Sequence, residues 1–306
     1  MKEKINLLYF EEKVENGNFG DELSRFFISE LINKNKYELV FNQPNIEKNM
    51  GGQLNNFTNV QLKNCKIMCG KKISKSTKEY SVYSLLNKKY KFPKHILYFK
   101  KIIFKFYKKE TCSHNNDIFF VLENLKNIVG NNVQTLDIKI GYNTALSFES
   151  NIVRSKRHSI IDKYLSHSNK KGYRIEGLTG YNIKKIMKNI KNKSLLSIGD
   201  RKKYNLYKVG LSYILGAFFT THRERMNCLT ELKKMNKFFF IPNYNAYING
   251  NESISFIGSS ILIIKGSKKT IVRLIDLNHP VWKRIKKYSK DDEHKSLINF
   301  THGFQS

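Results

Sequence analysis

Thr221-His222-Arg223-Glu224-Arg225 gathers, in five consecutive positions, side chains able to hold and protonate an anion. A guanidinium binds phosphate or carboxylate bidentately, and imidazole is the side chain that titrates near neutrality unperturbed. Arg223 and Arg225 are the expected anion clamp, with Thr221 beside them, His222 the acid or base, and Lys203 or Lys202 assisting. The plain alternative is a solvated, charged helix beginning. A second candidate is the loop Asn16-Gly17-Asn18-Phe19-Gly20-Asp21, whose glycines let a ligand approach the backbone closely.

Positioning these groups requires strands that run into loops and helix starts. Ile5–Phe10 is a continuous apolar run suited to a strand buried on both faces. Asp21 is a good helix N-cap, with Leu23, Phe26, Phe27 and Leu31 following at helical spacing. Further strands are expected at Tyr37–Phe41, Val60–Cys69, Asp117–Leu122, Gln134–Ile140, Leu195–Ile198, Ala217–Thr221, Lys237–Pro242 and Ser253–Lys265. Helices are expected at Lys94–Lys109, Asn151–Ser166, Tyr181–Asn192, Lys203–Leu215 and Met226–Lys234. Strands alternating with helices point to an α/β protein of two Rossmann-like domains, 1–112 and 113–306, facing a cleft in a GT-B-like arrangement.

The segments NGNFGDELSRFFISELI and Tyr204–Gly250 resemble bacterial polysaccharide pyruvyl transferases. In that family the chain opens with a strand, an N-F-G-D-x-L loop and a helix. A later strand ends in T-D-R-L-H-G, and an N-x-Y-G-K turn follows. Thr221-His222-Arg223 resembles T-D-R, and Asn243 and Tyr247 take the nearest positions to the turn. The family's His-Gly is Arg225-Met226 here, its Asp is His222, and the turn's Gly-Lys is Ala246-Tyr247.

The resemblance implies transfer of a pyruvyl group from phosphoenolpyruvate to a sugar of a cell-surface polysaccharide or its polyprenyl-linked precursor, without a cofactor or a metal. Arg223, Arg225, Thr221 and Lys203 would bind the donor. His222 would stand in for the unmatched family histidine, and Asn18, Phe19, Gly20 and Asp21 would face the same cleft from the other domain.

The 306-residue chain carries 55 Lys+Arg against 25 Asp+Glu, a formal charge of +30. That excess favours anionic partners, whether nucleic acid, anionic lipid or phosphate-bearing small molecules. An AT-rich coding sequence would also enrich Lys, Asn and Ile. The helix at Lys94–Lys109 sets lysines around aromatic and aliphatic bulk, as a helix on an anionic membrane does. A core helix with outward-snorkelling lysines fits equally. The opening lacks a signal-peptide apolar run, and no stretch has the length of a membrane span, so a cytoplasmic location is expected, with membrane contact only from the side. Cys65, Cys69, Cys112 and Cys228 read as structural thiols, because Cys65-x₃-Cys69 with Cys112-x-His114 matches no usual zinc spacing. Trp282 reads as a packing anchor for the last helix, and His302-Gly303 as tail. Alternatives are a GT-B glycosyltransferase using a nucleotide sugar, a non-enzymatic anion- or nucleic-acid-binding protein, and a degenerate relative kept as a binding partner. Dispersal of the lysines along the chain speaks against nucleic acid.

Overall fold

The computed structural model describes residues 78–111, 118–144, 159–166, 168–180 and 211–305, with the strand segments Glu38–Leu39, Phe57–Gln61 and Ile67–Lys72. The expected strand, loop and helix within 5–32, the helix at Tyr181–Asn192, the strand at Leu195–Ile198 and Lys203 lie outside the described residues. So do Cys65, Cys112 and His114.

The first sheet has the order β1-β2-β3-β5-β4, from β1 (Glu38–Leu39), β2 (Phe57–Gln61), β3 (Ile67–Lys72), β4 (Phe106–Thr111) and β5 (Ile118–Leu122). Two helices, α1 (Glu79–Leu86) and α2 (Lys94–Ile102), fall between β3 and β4 in sequence. Tyr83 of α1 lies against Phe120 of β5, ring centroids 5.5 Å apart. After β5 the chain passes through the short helix α3 (Lys126–Val129) into the second sheet. That sheet has the order β10-β9-β6-β7, from β6 (Gln134–Ile140), β7 (Tyr173–Gly180), β9 (Ser260–Lys265) and β10 (Thr270–Ile275). A pair, β8 (Ile254–Phe256) and β11 (Pro280–Trp282), stands apart. The remaining helices are α4 (Ser168–Lys171), α5 (Leu211–Phe218), α6 (His222–Met235), α7 (Ile241–Ile248) and α8 (Lys290–Gln305), with π turns at Ile161–Leu165 and Asn236–Phe240.

Every strand pairing among the described residues is antiparallel. This overturns the two Rossmann-like, GT-B-like domains, which require parallel sheets. Continuous apolarity misled that expectation. β9 is buried along its whole length because it is a central strand covered on both faces, a state that parallel and antiparallel sheets share. Val60–Cys69 divides into parts of β2 and β3, paired with each other, and Ser253–Lys265 divides into β8 and β9.

Four further expectations change. Ala217 and Phe218 close helix α5 rather than form a strand. From His222 to Ile248 the backbone is helical throughout, so Lys237–Pro242 is not a strand and Asn243–Tyr247 is not a turn. Lys94–Lys109 is helical only to Ile102, and Phe106 begins β4.

The buried residues of α2 are His95, Ile96, Phe99 and Ile102. Phe99 lies 5.0 Å from Phe239 and 5.4 Å from Phe256, so the core already occupies the face that a membrane would need. No described helix is long and apolar enough to cross a membrane. One apolar cluster runs from Val82 of α1 to Phe300 of α8. His302 and Gly303 belong to α8 and are not tail. Trp282 lies in β11, where its Nε1 donates to Glu252 at 2.9 Å. Cys228 is buried, and burial pushes its thiol up to about 12, which suits a structural, unreactive group.

Candidate active site

Along the middle of β6 one face is apolar and the other carries polar and charged side chains. Side chains alternate along β6, so Leu136, Ile138 and Ile140 share one face while Thr135, Asp137 and Lys139 share the opposite one. Residues directly opposite in register share a face. Arg174, Lys139, Ser260 and Ile275 therefore form one row across β7, β6, β9 and β10. Gly177, Asp137, Leu262 and Arg273 form the next. Between Asp137 and Ile138 the register with β7 skips Glu176, a β-bulge beside the charged residues.

Immediately beyond β10, Asp276 has φ +59, in the left-handed region that few non-glycine residues occupy. Lys139 Nζ donates to Asp276 Oδ2 at 3.3 Å and to the Gly258 carbonyl at 2.8 Å. The Asp137 carboxyl is buried beside the Ser260 hydroxyl. Burial, then the neighbouring Asp276, raise the Asp137 carboxyl to about 7, with Lys139 opposing both. A carboxyl poised near neutrality, a fixed ammonium and a second carboxylate stand within one constellation.

The chain leaving β6 is held firmly. Gly141 N donates to the Gly172 carbonyl at 2.7 Å. Asn299 of α8 accepts from Asn143 N and donates to the Asn143 carbonyl, both at 2.8 Å, as a neighbouring strand would. Glu123 follows β5, accepts from Lys105 N at 3.1 Å and pairs with Arg273 of β10 at 3.2 Å, joining the two sheets.

The Thr221–Arg225 cluster lies elsewhere. Thr221 is the N-cap of α6, and Glu224 completes a capping box with it. Burial would raise the Glu224 carboxyl, but the Thr220 and Thr221 amides and Lys265 hold it below its ordinary value. Lys265 is opposite Gln134 and so lies on the other face of the sheet from Asp137, which is opposite Leu262. His222 and Arg223 are exposed, and Arg225 Nη2 reaches the Phe219 carbonyl at 3.4 Å. Asn243 is fully buried, with its amide bridging the Ile254 N–H and carbonyl at 2.9 and 2.8 Å. Tyr247 lies beside the His294 ring, 5.8 Å between centroids. No hydrogen bond or ion pair among the described residues joins any of these to Asp137, and Asn18–Asp21 lie outside the described residues. Asp137, Lys139, Ser260 and Asp276 were missed from the sequence. For Asp137 and Lys139 the one signal is charge at alternate positions of an otherwise apolar strand, L-D-I-K-I.

The inositol polyphosphate kinase family model matches residues 119–302, more than half of the chain and a span that holds all four residues. Among solved structures, the inositol phosphate multikinase Ipk2 from S. cerevisiae, in complex with ADP and Mn2+, is 18% identical over 70% of this chain and 93% of its own, with TM-score 0.43. Another inositol phosphate multikinase structure is 16% identical over 74% of this chain and 95% of its own, with TM-score 0.46. None of the curated proteins compared matches the chain. The kinase match overturns the pyruvyl transferase resemblance, which rested on short loop and helix-start segments. With it fall the cofactor-free reaction on phosphoenolpyruvate, the saccharide or polyprenyl-linked acceptor, the membrane surface as partner, the glycosyltransferase and the non-enzymatic alternatives. The chain belongs to the inositol polyphosphate kinase family.

Proposed function

We propose that the protein transfers the γ-phosphoryl group of ATP to a hydroxyl of an inositol phosphate. The observation that carries this reading is the Asp137–Lys139–Asp276 constellation in a chain of this family. Asp137 takes the proton of the attacking hydroxyl, a role suited to a carboxyl near pH 7. The hydroxyl oxygen bonds to the γ-phosphorus, the bond to the β-phosphate oxygen breaks, and ADP leaves. Lys139, fixed by Gly258 and Asp276, offers its ammonium to the transferring phosphate. The +30 charge suits a polyanionic acceptor and a polyanionic donor.

Kinases of this kind work with a divalent cation, and the residues fit one. Asp276 is a partly exposed carboxylate, and the Asp137 carboxyl and Ser260 hydroxyl are buried oxygens beside it. Hard cations of the Mg2+ type take one or two carboxylates and complete their shell with phosphate oxygens and water. Bound at Asp276, the ion would neutralise charge on the leaving phosphate.

All these groups fall within 113–306, which we take as the catalytic portion, β5 of that portion completing the first sheet beside β3 and β4. A cytoplasmic location, where ATP is supplied, accords with the reading. The test is transfer of labelled γ-phosphate from ATP to a panel of inositol phosphates. Asp137→Asn and Asp276→Asn are expected to stay folded and lose about 100-fold or more in rate. No labelled product from any acceptor, or full activity in both variants, would sink the reading.

A further inference from the structure

We propose that Thr144, Asp162 and Arg174 form a positioning unit for Lys139, acting through the sheet and through Gly258. Arg174 is fully buried and sits directly opposite Lys139 in the β6–β7 ladder. Like charges so placed repel unless each is neutralised separately. Arg174 is neutralised by Asp162, which its Nη1 contacts, and by Glu176, 3.0 Å from its Nε. That leaves Lys139 to Asp276. The partition matters because Asp162 and Glu176, if released from Arg174, are buried carboxylates that would compete for the Lys139 ammonium.

Thr144 closes the unit. Its amide and hydroxyl donate to Asp162 Oδ2 at 2.7 and 2.8 Å, and its hydroxyl accepts from Arg174 Nη1 at 3.0 Å. Thr144 also lies against Gly258. A Cβ on Gly258 would stand 3.6 Å from the Thr144 carbonyl oxygen, and Gly258 has φ +67, open to glycine. The Gly258 carbonyl is the acceptor that fixes Lys139 Nζ. The link from Arg174 through Asp162 and Thr144 to Gly258 therefore ends on the same ammonium that Arg174 faces across the ladder. None of the three residues touches the reacting groups themselves.

The test reads Lys139 directly. In the full chain, amine acylation followed by peptide mapping gives a labelling rate for Lys139 and for Lys265, an equally buried lysine paired with Glu224 and remote from the unit. Thr144→Val keeps the shape and removes both hydroxyl bonds. It is expected to raise Lys139 labelling by about threefold or more while Lys265 stays unchanged, since only the local anchor opens. Thr144→Ser should restore the native rate. Asp162→Asn, made in parallel in case the valine variant fails to fold, carries the same expectation. If both lysines rise together, or neither rises, the unit is only structural and the proposal falls.

A kinetic arm rests on the functional reading above. Thr144→Val should lower kcat about tenfold with the KM for ATP nearly unchanged, because the fixed ammonium acts on the transition state. If the native chain transfers no phosphate yet Lys139 labelling responds as expected, the positioning unit stands and the kinase reading fails.

Discussion

Lys139 and Asp276 meet across 137 positions of sequence, the ammonium 3.3 Å from a carboxylate whose own backbone sits at φ +59. The charge and the conformation of Asp276 can be separated by mutation. Asparagine tolerates the left-handed region nearly as well as aspartate, whereas alanine does not. Asp276→Ala should melt lower than Asp276→Asn by the equivalent of about 1 kcal/mol, with both nearly inactive. Equal melting temperatures would show that the backbone there carries no strain.

Stability should fall as pH rises from about 4 to about 7. The folded Asp137 carboxyl titrates near 7 against an ordinary value of 3.8, so in this window the native state holds a proton that the unfolded chain has released. Fewer protons on the unfolded state mean stability declines with rising pH across this window. Asp137→Asn, which mimics the protonated form, should flatten this part of the profile in urea titrations at pH 5 and pH 8. An unchanged slope would place the Asp137 carboxyl back in the ordinary range.

Gly303 of α8 has no room for a side chain. A Cβ there would stand 2.6 Å from the Gly141 α-carbon, nearer still to the Gly141 nitrogen, and 2.9 Å from the Gly172 carbonyl. These are backbone atoms already committed to each other by a hydrogen bond. Gly303→Ala should cost about 1–3 kcal/mol. Gly216→Ala in α5, where nothing lies within 4 Å, should instead stabilise by about 0.5–1 kcal/mol. Thermal melts of the pair distinguish crowding from helix propensity.

Thr221→Ala removes the acceptor of the Glu224 amide at the head of α6. The expected loss is about 1 kcal/mol. Thr221→Ser should recover most of it, since the cap needs the hydroxyl and not the methyl. A loss reproduced by serine would mean that the methyl's packing matters more than the cap.

Strands whose pattern is self-contained were legible. Gln134–Ile140 is β6 to the residue, and Asp117–Leu122 differs from β5 by one position. Phe238, Phe239 and Phe240 were not, because three aromatics favour a strand in isolation while burial of the last two against α8 holds them in a helix. The site was harder. Asp137 and Lys139 stood in a strand read correctly, yet in a chain of 55 Lys and Arg a single lysine carries no contrast. Asp276 becomes its partner only through the pairing of β6 with β9 and β9 with β10, which no local pattern announces. Thr221–Arg225 drew attention because a capping box places the same polar residue types in a row as an anion site does.

The reciprocal pair between Asn299 and Asn143 spans 156 positions, and it closes the segment directly behind Lys139. During translation β6 leaves the ribosome long before α8 exists. A growing chain would carry Asp137, Lys139 and even Asp276 without the helix that pins them, and long-range closures of this kind form late. Catalysis is thus expected only once α8 has emerged and docked behind Lys139, which makes that helix a timer for the site.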